Sequence, residues 1–150
     1  MSAQAQGVEG GDTLLDVEVD PEQAESAGVD TDASGLIHYT AALRYFEVAE
    51  HALMRTLLGD HFAPPTERTF LLPRVHVEAD YRAPLRYPDE FDCSARVDRV
   101  GDGSVAYAFE IRRTDGVVCI VGRIVAAAVD PAGRSIPLPD HVRDVLAGAA

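Results

Sequence analysis

The sequence of 150 residues has no lysine and no tryptophan, and it has only two cysteines, Cys93 and Cys119. Two cysteines without CxxC spacing exclude a disulfide framework and a zinc knuckle, and they are typical of a protein in a reducing compartment. No apolar run approaches the roughly 18 residues that a membrane-spanning helix needs. The first residues have neither the basic nor the apolar region of a signal peptide. These absences predict a cytoplasmic protein that does not insert into membranes.

Positive charge is scarce and comes from arginine alone. There are 13 basic residues against 25 acidic ones, for a formal net charge of -12. Residues 1–32 hold many of the carboxylates and no arginine. A protein that binds nucleic acid neutralises phosphates with a basic patch. The charge balance therefore argues against a nucleic-acid partner.

The length and the periodicity of apolar residues predict one domain. Residues 1–12 are small and polar, which is typical of a disordered tail, and residues 13–150 form the expected single domain. Apolar residues at three- and four-residue steps predict a long helix, and alternating residues predict strands. The expected elements are a strand at 13–19, a helix at 40–58, strands at 75–82, 91–98, 105–111 and 117–129, and a short helix at 140–146.

This order predicts an α+β fold. One long helix followed by strands that are joined mostly by short turns indicates an antiparallel sheet curled around the helix, which becomes the core of the domain. Gly59 is expected to end the helix, and Gly122 is expected to mark a bulge within the last strand. The two cysteines lie in strands, where burial is a more common role than nucleophilic catalysis.

The strongest functional signal lies directly before the long helix, where Asp32, Ser34, Gly35 and His38 are close in sequence. The first N–H groups of a helix are unpaired and its start is electropositive, so a carbonyl placed there would be polarised as in an oxyanion hole. A carboxylate nearby could attack that carbonyl or deprotonate a water. The alternative is that Asp32 or Ser34 only caps the helix, since both residue types are preferred for capping.

A resemblance favours the functional interpretation. The run DTDASGLIHY at residues 30–39, followed by Phe46 and Glu47, resembles the signature of the 4-hydroxybenzoyl-CoA thioesterase family, which has the hotdog fold. Residues 81–90 are similar to the family's turn between two strands, and residues 129–139 are similar to its C-terminal end. The resemblance implies a sheet wrapped around a central helix, dimers that join two sheets, and active sites at the dimer interface.

The resemblance also implies roles for individual residues. Asp32 corresponds to the nucleophile or general base of thioester hydrolysis. Tyr39 corresponds to the residue whose backbone N–H polarises the carbonyl, and Ala42 stands where a larger side chain is common, which leaves room for an acyl group. His38 is expected to orient Asp32 or the carbonyl, with a structural hydrogen bond near the helix start as the alternative. Glu47 is a candidate catalytic carboxylate, with a solvated or interface position as the alternative.

The carrier of the thioester needs cations, because the phosphates of coenzyme A bind charge-assisted donors. Arg112 and Arg113 beside the turn at Asp115 are the first pair expected to bind them. The other candidates are Arg82, Arg86, Arg96, Arg99 and Arg123. Gly35 is expected to let the backbone approach the substrate or adopt a positive φ. No group of side chains has the spacing of metal ligands, so no metal and no cofactor are expected beyond coenzyme A as part of the substrate.

These observations predict a thioester hydrolase that acts on an acyl or aryl thioester of coenzyme A or of an acyl carrier protein. The resemblance implies a homodimer or homotetramer. Two alternatives remain open: a non-catalytic module that binds acyl thioesters, and a hotdog hydratase or dehydratase.

Overall fold

The computed structural model describes residues 15–18, 31–59 and 69–150. The predicted tail at 1–12, Asp30 and most of the predicted loop at 60–69 lie outside the described residues. The elements in chain order are β1 (Leu15–Glu18), α1 (Ala41–Leu58), β2 (Arg74–Tyr81), β3 (Phe91–Val100), β4 (Ser104–Arg113), β5 (Val118–Ala127) and α2 (Asp140–Ala147). Each predicted helix and strand is confirmed, with bounds that differ by a few residues. No helix in these ranges is long and apolar enough to cross a membrane.

The strands form one antiparallel sheet in the order β1-β3-β4-β5-β2. Short turns join β3 to β4 and β4 to β5, so these three strands are neighbours in both the chain and the sheet. Strand β2 comes before them in the chain but pairs with β5 at the far edge. The α+β class and the hotdog arrangement of a sheet around a long helix are confirmed.

Helix α1 provides one side of the core. Its apolar residues recur at three- and four-residue steps, so Ala42, Phe46, Ala49 and Leu53 lie on one face and are all fully buried. The Phe46 ring stacks on the ring of Phe109 in β4, with centroids 4.7 Å apart. This packing holds the helix against the concave face of the sheet, as the sequence predicts.

Gly59 ends α1 as expected. Its φ is 52°, a conformation that glycine adopts without a steric penalty, and its N–H donates to the carbonyl of Arg55.

The expectation of a bulge at Gly122 is wrong. Gly122 pairs in regular register with Ala79 on one side and Phe109 on the other. A Cβ at this position would lie 2.2 Å from Cε2 of Phe46. Glycine is therefore required because the helix ring packs directly on the strand backbone, and not because the strand is irregular.

Both cysteines are buried, as predicted. Burial raises the pKa of Cys93 to about 12, and burial also raises the pKa of Cys119. A thiol must ionise to act as a nucleophile, so neither cysteine is a candidate for nucleophilic catalysis.

Strand β2 is an edge strand whose apolar side chains face outward into solvent in the single chain. Val75, Val77 and Tyr81 are 63%, 45% and 49% exposed. His76, on the other face, pairs with Glu78 at 3.1 Å and is also exposed. The alternating pattern predicts the strand correctly. Ala79 on this face packs against the hydrophobic core, whereas Val75, Val77 and Tyr81 stay exposed in the single chain.

Candidate active site

Asp32 organises the loop that precedes α1. Its Oδ1 accepts hydrogen bonds from the N–H of Ser34 at 2.8 Å, from the Ser34 hydroxyl, and from the N–H of Leu36 at 3.2 Å. Its own N–H donates to the carbonyl of Leu36 at 2.7 Å, and the N–H of Gly35 donates to the Asp32 carbonyl at 3.0 Å. The loop is thereby a tight turn, and these bonds leave Oδ2 as the carboxylate oxygen without a hydrogen-bond donor among the described residues.

These hydrogen bonds lower the pKa of Asp32 below its ordinary value of 3.8. The Ser34 hydroxyl is the largest cause, the Ser34 N–H follows, and the neighbouring His38 lowers it further. Donors to a carboxylate favour its charged form. Asp32 is therefore ionised at neutral pH, and its side chain is exposed in the single chain.

Gly35 permits the turn, since its φ of 76° lies in the region that favours glycine. The loop is then held by the segment that follows β2. The N–H of Ile37 donates to the carbonyl of Leu85 at 2.9 Å, and the N–H of Tyr87 donates to the carbonyl of Gly35 at 3.3 Å. Two chain segments far apart in sequence thus fix the position of Asp32.

The start of α1 has no side-chain cap. Thr40 occupies the N-cap position without a side-chain hydrogen bond, and no acidic residue lies in the first turn. The alternative that Asp32 or Ser34 caps this helix is therefore wrong, because the Asp32 carboxylate binds its own loop. The electropositive end of the helix remains free of a neutralising side chain.

Tyr39 lies at this helix start. Its side chain is 73% exposed, and its backbone carbonyl accepts a hydrogen bond from the Tyr81 hydroxyl at the end of β2. The Tyr39 N–H, the group that the resemblance implies, has no acceptor among the described residues. His38 is also exposed, and its carbonyl accepts the N–H of Ala41 at 3.0 Å.

A cavity of about 310 Å³ lies beside the Asp32 loop. Its walls are mostly apolar, with one hydroxyl and one guanidinium. The lining residues are Leu36, Ile37, Tyr81, Arg82, Ala83, Pro84, Leu85 and Ile120. Leu36 and Ile37 belong to the loop that Asp32 organises, so the cavity adjoins the loop that carries the candidate carboxylate.

None of the predicted site residues is among the residues that line this cavity. Ala42 is fully buried and packs in the hydrophobic core, so in the single chain it leaves no room for an acyl group. Glu47 is exposed on α1, two helical turns past Tyr39, which corresponds to about 12 Å along the axis.

Arg112 and Arg113 are already engaged within the chain. Arg112 pairs with Glu110 at 2.6 Å and donates to the carbonyl of Gly116. Arg113 pairs with Asp115 at 2.8 Å and donates to the carbonyl of Pro84. A phosphate would have to compete with these carboxylates.

Tyr81, Arg82 and Leu85 are parts of the site that the sequence does not single out as such. Arg82 is one of many arginines on the strands, and the other two carry no chemical signal of their own. Their role follows from the return of the chain after β2 to the Asp32 loop, a contact between segments more than 40 residues apart. The described residues contain no group of three or more His, Cys, Asp or Glu side chains that could hold a metal ion.

Comparisons with known proteins agree with this architecture. The family model described as the thioesterase superfamily matches residues 34–120. A hypothetical protein from Thermus thermophilus has a TM-score of 0.76 at 18% identity, covering 91% of this chain and 98% of its own.

Two further similar structures are named as thioesterases. DHNA-CoA thioesterase from Staphylococcus aureus has a TM-score of 0.72 at 18% identity, covering 90% of this chain and 86% of its own. A 1,4-dihydroxy-2-naphthoyl-CoA thioesterase from Synechocystis has a TM-score of 0.72 at 16% identity, covering 89% of this chain and 94% of its own. At these identities the structural likeness shows the fold.

Proposed function

Because the chain belongs to the thioesterase superfamily, we propose that it hydrolyses an acyl or aryl thioester, carried by coenzyme A or by a carrier protein, to the free acid and the thiol. One observation carries the proposal: an ionised Asp32 lies in a rigid loop that runs directly into an uncapped helix start. Thioester hydrolysis suits this arrangement, since a thiolate leaves without strong acid assistance.

Asp32 attacks the carbonyl in the favoured mechanism. Its Oδ2 forms a bond to the carbonyl carbon, the carbon–sulfur bond breaks, and the thiolate leaves with the electron pair. Water then attacks the Asp32 carbonyl carbon of the resulting anhydride, the acyl group leaves as the free carboxylate, and Asp32 is restored as a carboxylate. Of the two protons of this water, one neutralises the thiolate and the other is released to solvent. A carboxylate with a lowered pKa is a poor general base at neutral pH, which favours this route over base catalysis.

Single turnover in ¹⁸O-labelled water distinguishes the two routes. Label recovered in the Asp32 side chain by peptide mass spectrometry is the expected result, because only the anhydride exposes that carboxyl to water. Label in the released acid alone would show that water attacks the acyl carbon, and it would contradict this route.

Backbone N–H groups at the start of α1 are the proposed donors to the substrate carbonyl. The Tyr39 N–H has no acceptor among the described residues, and no acidic side chain neutralises the first turn. Donors aimed at the oxygen that becomes negative stabilise the transition state more than the ground state. His38, whose charge already acts on Asp32, helps to keep the carboxylate ionised.

The cavity beside the loop accommodates the arm that carries the thioester. Its apolar walls suit the aliphatic parts of pantetheine, and the Asp32 loop forms one side of it. The thioester would then sit at the inner end of the arm, near Asp32, while the acyl or aryl group extends past the helix start.

Assembly of two copies through β2 would cover the exposed apolar side chains of this edge. An edge strand with Val75, Val77 and Tyr81 exposed presents unpaired backbone groups and apolar area to solvent. Pairing with the same strand of a second copy forms a continuous sheet and a closed two-fold contact. A homodimer is therefore the proposed unit, and its tetramer would be a pair of such dimers. Two free cysteines and a coenzyme A substrate favour a cytoplasmic location.

A panel of short, long and aromatic acyl-CoAs tests the function by release of free thiol. Turnover of at least one class is expected. Tight binding with no thiol release from any class would indicate a non-catalytic binding module. With an enoyl-CoA added to the panel, loss of its enoyl absorbance without thiol release would indicate a hydratase. Either of these results would overturn the proposal.

A further inference from the structure

Most arginine side chains in the described part of the chain are paired with carboxylates. The predicted phosphate ligands Arg112 and Arg113 are among them, at 2.6 Å from Glu110 and 2.8 Å from Asp115. Arg113 also holds the pKa of Asp115 below its ordinary value through their hydrogen bond. This extensive pairing is expected in a chain with 25 acidic and 13 basic residues.

Arg82 and Arg86 are exceptions next to the candidate site. Neither guanidinium has a carboxylate within ion-pair distance among the described residues, and both side chains are exposed. Within the part of the chain that the structure describes, the nearby carboxylate of Asp89 accepts the backbone N–H of Arg86 at 2.8 Å and binds neither guanidinium.

Both arginines belong to the segment that the Asp32 loop contacts. Arg82 lines the cavity. The backbone of Arg86 forms a β-bridge with Leu36, a residue whose N–H binds the Asp32 carboxylate. One uncompensated cation, Arg82, therefore lines the cavity, and the other, Arg86, belongs to the segment that bridges to Leu36, which lines the same cavity.

We infer that Arg82 and Arg86, and not Arg112 and Arg113, bind the phosphate of the phosphopantetheine arm that carries the thioester. The inference rests on the proposed function. A guanidinium presents a planar fork of donors that matches phosphate oxygens, and these two forks need no carboxylate to be displaced. Coenzyme A and acyl carrier proteins share a phosphate at the end of this arm, so either carrier supplies the ligand chemistry.

Three forms of the same acyl group test the inference: the thioester of coenzyme A, of 4′-phosphopantetheine, and of N-acetylcysteamine, which has no phosphate. The Arg82→Gln/Arg86→Gln double variant is expected to raise KM for the coenzyme A thioester about tenfold or more. The rise for the N-acetylcysteamine thioester should be at least about tenfold smaller. The Arg112→Gln/Arg113→Gln variant is the matched control, and it should change KM for both thioesters alike.

The phosphopantetheine thioester identifies the source of the phosphate. A rise shared by phosphopantetheine and coenzyme A assigns the arginines to the phosphate that both carriers possess. A rise confined to coenzyme A would instead assign them to its nucleotide phosphates, and that result would overturn the inference.

Three further results would overturn the inference. They are equal changes in KM for thioesters with and without a phosphate, an unchanged KM for the coenzyme A thioester, and a double variant that is monomeric where the wild type is dimeric. Calorimetric binding of coenzyme A to wild type and to the double variant needs no turnover. It tests the arginines even if the wild type releases no thiol, a result that would instead overturn the proposed function.

Discussion

Asp32 and Asp130 show how the same local structure can have different consequences. In each, one carboxylate oxygen accepts the N–H groups of the residues two and four positions later, and the pKa is lowered. Asp130 also binds the guanidinium of Arg134 through its other oxygen, at 2.8 Å. Asp32 keeps that second oxygen free among the described residues and lies beside the cavity. The hydrogen bonds to the loop backbone therefore do not distinguish the two aspartates. Their positions in the fold and the partner of the second carboxylate oxygen do.

Ser34 sets the titration of Asp32. Its hydroxyl is the largest cause of the lowered pKa, so Asp32 should still be mostly ionised when the pH falls to 3.8. We expect Ser34→Ala to raise the pKa of Asp32 towards its ordinary value, because the carboxylate loses a donor. Carboxyl ¹³C NMR titration of wild type and variant measures the change. Ser135→Ala, at an exposed position, is the control, and an unchanged or lower Asp32 pKa in the Ser34 variant would contradict the assignment.

The sequence predicts Asp32 and Gly35 as site residues because they combine a reactive carboxylate with a turn immediately before a helix. Two further features could have been predicted from residue spacing: the pairing of Arg112 with Glu110 and the burial of Glu50. Residues two apart on a strand share a face, which places Glu110 beside Arg112. Glu50 follows Phe46 by four residues, which places it on the buried face of α1.

Glu50 is buried and pairs with Arg74 at 2.7 Å. Burial raises its pKa, and Arg74 opposes that rise. The identity of its partner could not be predicted, because it depends on how the helix lies across the edge of the sheet.

The contact between α1 and β5 depends on the absence of a side chain at Gly122. A Cβ there would lie 2.2 Å from Phe46, whose ring is fully buried and stacked on Phe109, and 3.1 Å from the Glu78 carbonyl. We expect Gly122→Ala to lower the free energy of unfolding by about 1–3 kcal/mol, since neither ring nor backbone can move away freely. Chemical denaturation measures this change.

Gly148→Ala is the matched control for that substitution. Gly148 has a φ of -71°, and a Cβ there would meet no atom closer than 3.4 Å. The control should change the free energy of unfolding by no more than about 0.5 kcal/mol. Equal effects of the two substitutions would show that the Phe46 contact does not restrict position 122.

The helix and the strands are predictable because their apolar periods of 3.6 and 2 are strong and local. The requirement for glycine at position 122 is not predictable from the sequence, because it comes from a contact with Phe46, which lies in another element 76 positions earlier in the chain. The alternating pattern likewise does not predict that the apolar side chains of β2 are exposed. Alternation predicts that Val75 and Val77 share a face, but it does not say whether that face lies on the helix or at the edge of the sheet.

Assembly through β2 gives a prediction for the molecule as a whole. Val77 is 45% exposed in the single chain, so a lysine there can be accommodated by the monomer. In a two-fold contact each copy brings its own charge into the interface. Val77→Lys is therefore expected to raise the dimer dissociation constant by about a hundredfold or more. Light scattering coupled to size-exclusion chromatography measures the mass.

Val145→Lys is the control, since Val145 is an exposed valine on α2, away from β2. It should leave the dimer intact. A Val77→Lys variant that remains as dimeric as wild type, or a wild type that is monomeric at every concentration, would exclude β2 as the interface.

The most direct measurement is thiol release by Asp32→Asn and Asp130→Asn, compared with wild type on the best acyl-CoA of the panel. Asparagine keeps the oxygen that accepts the loop N–H groups at both positions, so both loops should fold. We expect Asp32→Asn to lower kcat at least about a thousandfold, while Asp130→Asn stays within about twofold of wild type. Near wild-type release by folded Asp32→Asn would contradict the account, because the carboxylate at position 32 could then be neither the nucleophile nor the base.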